Sequence, residues 1–442
     1  MFSFRFAPVL IAFSLCAQER PVLQLTIARA VDLATSSEGS ARIQLASELT
    51  RQAEAKSTQA RAALLPSLDA QVSERNMNVN LQAYGFNHVL PPIPGFAFPT
   101  TVPPFNVFDA RVTGTQSVLD LGSIRRYQAS RVTIQASKAD RDNTSEQVAA
   151  QVAKAYLTAL RAQADADAAR ANVELSEALL KQAGSLKSAG TGTGIEITRA
   201  RVQLANDRQR LLSSGNELRR TRLQLLKAMN LRLDTDVALT DALTYTAVDP
   251  ELIEHVKAKA LEMRPDYRAQ LQRQNSAQLT SSSVRLERVP SLAAFGDYGT
   301  IGSGINSSSP TRTYGVSVRL PIFDGGRREG RRAEAESQVR QERVRASDLR
   351  DQIDLDVKLA IDALQSAAEE VKVAADGLAL AENEVAQARR RVDAGVAIGL
   401  EVTDAQTRLA RARDNQTAAL YHHAQARIDL GQATGSLSSF LQ

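Results

Sequence analysis

The sequence predicts a mainly helical fold with a small β part: duplicated long coiled helical hairpins plus four amphipathic strands. Three observations predict it. The first is an internal repeat. Ala189-Gly190-Thr191-Gly192-Thr193-Gly194-Ile195-Glu196-Ile197-Thr198-Arg199-Ala200 returns as Ala394-Gly395-Val396-Ala397-Ile398-Gly399-Leu400-Glu401-Val402-Thr403-Asp404-Ala405. Leu65-Pro66-Ser67-Leu68 returns as Val289-Pro290-Ser291-Leu292, and Val118-Leu119-Asp120-Leu121-Gly122 as Ile322-Phe323-Asp324-Gly325-Gly326. Duplication on this scale sets the architecture, with a first structural repeat over 18–230 and a second over 231–442.

The second observation is a heptad seam. Ile353, Val357, Ala360, Leu364, Ala367, Val371, Ala374, Leu378, Ala381, Val385, Ala388 and Val392 keep an unbroken 4-3 spacing. Large aliphatics at one core position and mostly alanine at the other describe a coiled pair of closely approaching helices. Val148, Val152, Ala155, Ala159, Ala162, Ala166, Ala169 and Val173 hold the same register one repeat earlier, after which Ser176, Leu180, Ala183 and Lys187 weaken it. The third is proline. Six of the 14 prolines fall between Pro91 and Pro104, none between Pro104 and Pro250, and none after Pro321. The proline-free spans are those that carry the seams, as unbroken helices require.

Taken in order, Leu25 to about Leu64 reads as a helix interrupted near Ser36–Ser40 and stopped by Pro66. From Ser67 to about Val79, Leu68, Ala70 and Val72 share one face of a strand. A Pro/Gly/Phe-rich loop over 91–104 leads to a second strand, where Phe108, Ala110, Val112 and Gly114 alternate with Asp109, Arg111 and Thr113. A helix of about 66 residues, roughly 100 Å long, then runs to Ser188, turns through the glycines at 190–194 and returns to about Met229. In the second half, helices over about 251–263 and 265–288 precede weak alternation at Leu292, Ala294 and Tyr298. Gly and Ser residues from 302 to 309 turn the chain into the clearest strand, with Tyr314, Val316, Val318 and Leu320 on one face. The second long helix covers about 327–394 and its partner about 401–431.

Strands of this length and alternation suit a tilted membrane barrel, with lipid outside and water inside. Four strands cannot close a barrel alone, so that reading demands oligomerisation. The same pattern also fits two hairpins packed on a soluble core. Aromatic residues make up 5% and tryptophan is absent, which is poor for a compact core and suits an elongated bundle. The net charge of +5 is spread along the helices. Arg327, Arg328, Arg331 and Arg332 cluster, but without the interleaved aromatics of a nucleic-acid site. They read as a solvated helix start. The apolar run from Phe6 to Leu15, ending in Leu15-Cys16-Ala17, reads as part of a secretory signal peptide over 1–17. Cys16, the one cysteine, is also a candidate lipidation site, although Leu15 departs from the small residue expected before a lipidated cysteine.

In this order the motifs resemble the TolC-like outer-membrane efflux protein family. The resemblance covers nearly the whole mature chain. It is carried by Ala62-Ala63-Leu64-Leu65-Pro66, Gln116-Ser117-Val118-Leu119-Asp120, Leu320-Pro321-Ile322-Phe323-Asp324-Gly325-Gly326, Arg264-Pro265-Asp266 and the paired tip motifs. It implies a homotrimer in the outer membrane, with four strands from each chain in a trimeric twelve-stranded β-barrel and a long periplasmic helical extension. It implies a passive exit duct that meets an inner-membrane pump through a periplasmic adaptor protein, with no cofactor. Two departures stand out: Ser36–Ser40 replaces the usual Asn-Pro, and the first hairpin loop is about 20 residues longer than the second. The rival function is a soluble periplasmic coiled-coil scaffold or adaptor, but no lipoyl-like or barrel domain accompanies the hairpins.

Glu401 and Asp404 lie three apart on one helix face, and the resemblance points them into the closed end of a tunnel as a periplasmic gate of stacked acidic rings. Glu196 and Glu401 also suit the positive end of a helix dipole, a purely structural use. The first repeat has Arg199 in place of Asp404, so the hairpins differ electrically. Gly190, Gly194, Gly395 and Gly399 suit tight interhelical turns, and the resemblance makes them adaptor-contacting helix tips. Arg390 and Arg391 are candidate partners for the acids. His422 and His423 are adjacent and diverge by about 100° on a helix, a poor shared metal site. No P-loop, nucleophile elbow, HExxH or CxxC is present, and no enzymatic activity is expected.

Overall fold

The structure is a computed structural model that describes residues 22–36, 39–85, 99–190, 192–247, 249–394, 396 and 399–441. The leader 1–17 with Cys16, Pro91, Pro92, Pro94 and Gly395 lie outside the described residues. The chain begins with β1 (Leu23–Leu25), α1 (Ile27–Thr35), α2 (Ala41–Ala62), β2 (Ser67–Asn80), β3 (Thr101–Leu119), α3 (Leu121–Ser188) and α4 (Gly194–Ala228). It continues with β4 (Val237–Leu239), α5 (Pro250–Met263), α6 (Pro265–Leu286), β5 (Ser291–Gly302), β6 (Ser308–Arg319), α7 (Arg327–Asp393) and α8 (Gly399–Thr434). Contacts divide it into two compact units. One takes the described residues up to Gln44, Thr144–Arg264 and those from Ile353 onward; the other takes Leu45–Asn143 and Pro265–Gln352. Each unit therefore draws on both halves of the sequence, with β1 paired to β4 in the first and β3 to β5 in the second.

In the first unit the heptads make the core. Nine of the twelve seam positions on α7 are buried, and Ala374, Leu378 and Val392 are half-buried. On α3, Val148, Val152, Ala159, Ala162, Ala166, Ala169 and Val173 are buried. Past Ser176 the burial ends, with Leu180 and Ala183 half-buried and Lys187 exposed. One feature departs from the expected helix at Leu25. Residues Leu23–Leu25 form a strand that pairs in parallel with Val237–Leu239. Leu25 is fully buried, and its carbonyl accepts the Tyr156 hydroxyl at 2.9 Å and the Thr240 N–H at 3.1 Å. Three residues are too few to show alternation, and the partner strand lies in the other half of the chain.

The second unit holds an antiparallel sheet in the order β2-β3-β5-β6. Strand β3 starts at Thr101, so the expected loop to Pro104 ends early and Pro103 and Pro104 sit within a strand. They fall where the β2–β3 register shifts, between the pairs Met77↔Phe105 and Val79↔Val102. A bulge is where a residue without an N–H is tolerated. Small residues dominate the helix packing here: Ala53, Ala129, Ala136, Ala269, Ser281 and Ser283 are buried. Hydroxyls join neighbouring helices, as between Ser130 and Ser57 at 3.0 Å.

The repeated Asp motif has a local explanation. Asp120 Oδ1 accepts the Ser123 N–H at 3.0 Å, and Asp324 Oδ2 accepts the Arg328 N–H at 3.2 Å. Each carboxylate thus takes up a free donor in the first turn of the long helix that follows its strand. Burial would raise both carboxyls, but hydrogen bonds from Ser123 in one case and Arg328 in the other outweigh it and hold both below the usual range. A lowered folded-state value means the stabilisation is complete at neutral pH and is lost as pH falls through that value. We expect Asp120→Ala to cost about 1 kcal/mol at pH 7, measured by thermal melting followed with circular dichroism. The gap between variant and wild type should close on acidification, and a gap that persists in acid would contradict a capping carboxylate.

Candidate functional site

The cross-strand register gathers the alternating residues into two unlike faces. Leu68, Gly114, Gly296 and Tyr314 form one row, and Ala70, Val112, Tyr298 and Arg312 the next. On this face Leu68, Val72, Val112, Tyr298, Tyr314, Val316 and Val318 are all exposed, Tyr314 by 81%. The opposite face carries Asp69, Thr113, Asp297 and Thr313 in one row. There Arg111 donates from Nε to Asp109 Oδ1 at 2.7 Å and from Nη1 to Asp297 Oδ1 at 3.2 Å. Phe295 is an apolar exception on the polar face and lies over Gly315, where a Cβ would approach its ring to 2.9 Å. At the two edges, β2 and β6 each have a single neighbour among the described residues. A contiguous apolar face of this extent marks contact with lipid or protein, and the polar face opposite it marks water.

The hairpin ends form the second part of the site. Helix α3 stops at Ser188, and Gly190 takes a φ of +78°, a left-handed cap that favours glycine. The Gly192 N–H closes the turn on the Leu186 carbonyl at 2.9 Å. A Cβ on Gly192 would lie 2.8 Å from the Lys187 nitrogen, whereas one on Gly194 would meet nothing nearer than Lys187 Nζ at 3.9 Å. Gly190 and Gly192 are thus the glycines this turn requires, and Gly194 is not. Gly399 opens α8. The second turn closes differently, with the Val396 N–H on the Arg391 carbonyl at 3.0 Å.

The acids at the two tips have unlike partners. The Glu196 carboxylate accepts the Thr193 N–H at 3.0 Å, the structural use of an acid at a helix start. Glu401 instead pairs with Arg391, Nε to Oε1 at 3.2 Å. Asp404 is exposed one turn before Arg408, which pairs with Glu384 at 2.7 Å. The Arg408 guanidinium is held above its ordinary range first by Glu384 and further by Asp404. Behind these acids, Ala405 packs against Val385 and Ala388.

One polar element was not read from the sequence. Asp207 of α4 is buried, takes a very short hydrogen bond from the Ser176 hydroxyl, and accepts Gln203 Nε2 at 3.0 and 3.1 Å. Its signal was Ser176, the residue at which the first seam weakens. Elsewhere, His422 approaches Glu370 at 3.3 Å, while His423 is buried with its ring 4.8 Å from that of Tyr245, so the two histidines have separate surroundings. Burial, then Arg427, lowers the His423 pKa. Among the described residues no group of three or more His, Cys, Asp or Glu is placed to hold a metal, and no helix is long and apolar enough to cross a membrane. Three of the four arginines clustered at the start of α7 are paired: Arg328 with Asp324 at 2.8 Å, Arg331 with Glu287 at 2.7 Å and Arg332 with Glu336 at 3.1 Å.

A small amphipathic antiparallel sheet joined to long paired helices defines a class, that of outer-membrane channels with helical extensions. The sequence matches the outer membrane efflux protein family over residues 36–231 and 257–436, and the chain belongs to that family. Over 336 residues it is 25% identical to the pyoverdine export outer membrane protein OpmQ of Pseudomonas putida, a match that spans 74% of this chain and 70% of that one. Its fold is similar to that of the CmeC outer membrane channel of Campylobacter jejuni, with a TM-score of 0.78 at 17% identity over 93% of this chain and 86% of that one. The outer membrane protein VceC of Vibrio cholerae gives a TM-score of 0.78 at 16% identity, over 92% and 96%. The protein is accordingly an outer-membrane exit duct with an extended periplasmic helical region, of the kind that serves tripartite efflux or secretion systems, and its function is non-catalytic.

Two expectations follow from this geometry. Gly192→Ala should open the first tip to protease and to hydrogen exchange while Gly194→Ala leaves it unchanged; equal effects would contradict the turn described. Val316→Lys should deplete the folded protein from outer membranes, since a lysine facing lipid costs up to about 2–4 kcal/mol, whereas Ser317→Lys should not. Equal yields of the two, read as heat-modifiable bands on gels of membrane fractions, would overturn the assignment of faces.

Proposed function

We propose that three copies of this chain assemble so that β6 of each pairs with β2 of the next, closing one twelve-stranded barrel. The observation that carries this is the sheet: an exposed apolar face, a polar face and two open edges cannot persist in lipid unless the edges are joined. The amphipathic strands favour a membrane duct over a soluble coiled-coil scaffold, which would have no use for an exposed apolar sheet. We read the chain as a duplication of 18–230 and 231–442, which supplies two strands and one long hairpin twice.

In this assembly the tips around Gly190, Gly194, Gly395 and Gly399 meet a periplasmic adaptor, which joins the duct to an inner-membrane pump. Glu401 and Asp404 of three copies form stacked acidic rings at the periplasmic end, and crowding them disfavours closure unless cations compensate. The Arg391–Glu401 pair supports this role by offering such a cation at 3.2 Å. A half-exposed ion pair is worth about 0.2–1 kcal/mol, so three of them bias a closed state without locking it. Partner contacts of ordinary size suffice to reverse that bias.

The test is conductance in planar bilayers. The full chain should form cation-selective channels that are mostly closed. Glu401→Gln with Asp404→Asn should reduce the selectivity, and Arg391→Gln should lengthen the openings. Unchanged selectivity and opening in these variants would overturn the acidic gate, and no conductance from the wild type would overturn the duct.

A further inference from the structure

The ends of the two hairpins flank an open groove of about 740 Å³, with Leu186 and Val202 on its walls exposed. Leu179 and Leu186 of α3, Val202 of α4 and Val392 of α7 line it, together with Arg199 of α4 and Arg389 of α7. Those two arginines set it apart. Among the described residues neither has an ion pair, whereas Arg391 and Arg408 close by are matched by Glu401 and Glu384. Glu196 also lines the groove, but its carboxylate is engaged by the Thr193 N–H. Arg199 is moreover particular to the first hairpin, since the second repeat has Asp404 at that place.

A groove of this volume is within the range that small molecules fill. Its apolar walls call for an apolar body, and two guanidiniums against the single carboxylate of Glu196 call for an anionic head. We propose that it binds a water-borne, single-chain anionic amphiphile, with a carboxylate, sulfonate or phosphate monoester head between Arg199 and Arg389 and the chain among the aliphatic walls. Guanidinium forks match such heads with paired, charge-assisted hydrogen bonds. A cationic amphiphile meets two like charges there, and a neutral one leaves both forks without an acceptor. Because the two arginines stand on different hairpins, one bound head ties α4 to α7. The site is a property of the chain itself; it adjoins the gate proposed above through Leu400, Val402 and Thr403 but is not lined by Glu401 or Asp404.

The experiment is photo-labelling of the full chain in lipid nanodiscs with diazirine-bearing dodecanoate, and in parallel with diazirine-bearing dodecylamine, mapped by mass spectrometry. Dodecanoate should label residues within 175–203 and 389–406 saturably, and dodecylamine should label the membrane strands alone. Arg199→Gln with Arg389→Gln should cut the tip labelling by roughly tenfold or more, as the loss of hydrogen bonds to a charged group implies, with strand labelling unchanged. Arg199→Lys with Arg389→Lys should keep most of it, which separates lost charge from a disturbed fold. Equal tip labelling by the two probes, tip labelling that survives the double glutamine variant, or dodecanoate labelling confined to the strands would each overturn the proposal. None of these results depends on whether the protein conducts.

Discussion

The constraint on which the rest depends is the hydrogen bonding of strand edges in a solvent that offers no partners. In lipid every backbone N–H and C=O must be satisfied within the protein. Among the described residues, the sheet of this chain satisfies them between β2 and β3, β3 and β5, and β5 and β6, and stops there. Its exposed row of Leu68, Val112, Tyr298, Val316 and Val318 commits one face to an apolar surrounding. The polar face keeps Arg111 between Asp109 and Asp297, a charged cluster that suits a wet surface. On the assembly proposed above, four strands of this kind are a fraction of a barrel, and their amphipathy makes sense when the fraction is completed.

The helices answer a different demand, that of building length from little bulk. Alanine at alternate seam positions lets axes approach closely, and Ile353, Val357, Leu364 and Val371 fill the spaces between. Toward the tips the packing becomes polar and sparser. Ser176 and Asp207 stand where the second hairpin has Ala381 and Ala412, and Arg199 stands where it has Asp404. The two hairpins therefore share a backbone plan and differ in what holds them. A buried carboxylate that accepts from Ser176 and Gln203 ties the helices of the first, while an exposed Arg391–Glu401 pair is what meets at the end of the second.

Most of this fold was legible because its signals are periodic and long. A seam of twelve heptad positions and four alternating strands each repeat their message many times, so neighbouring residues correct one another. What escaped was short or nonlocal. The Leu23–Leu25 strand has three residues, and its partner begins at Val237. Pro103 and Pro104 read as loop because the bulge that accommodates them depends on register with β2. Gly192 could not be ranked above Gly194 without the position of the Lys187 backbone. Asp207 carries no signal of its own in the sequence, since only the crossing of α3 places Ser176 against it.

The account turns on the open edges of β2 and β6, and it is tested most directly by electron microscopy of the protein extracted from outer membranes in detergent. The account predicts a three-fold particle in which each copy contributes four strands to one closed barrel, with β6 of each copy paired to β2 of the next. A soluble monomer or dimer in which those edges stay unpaired would contradict it.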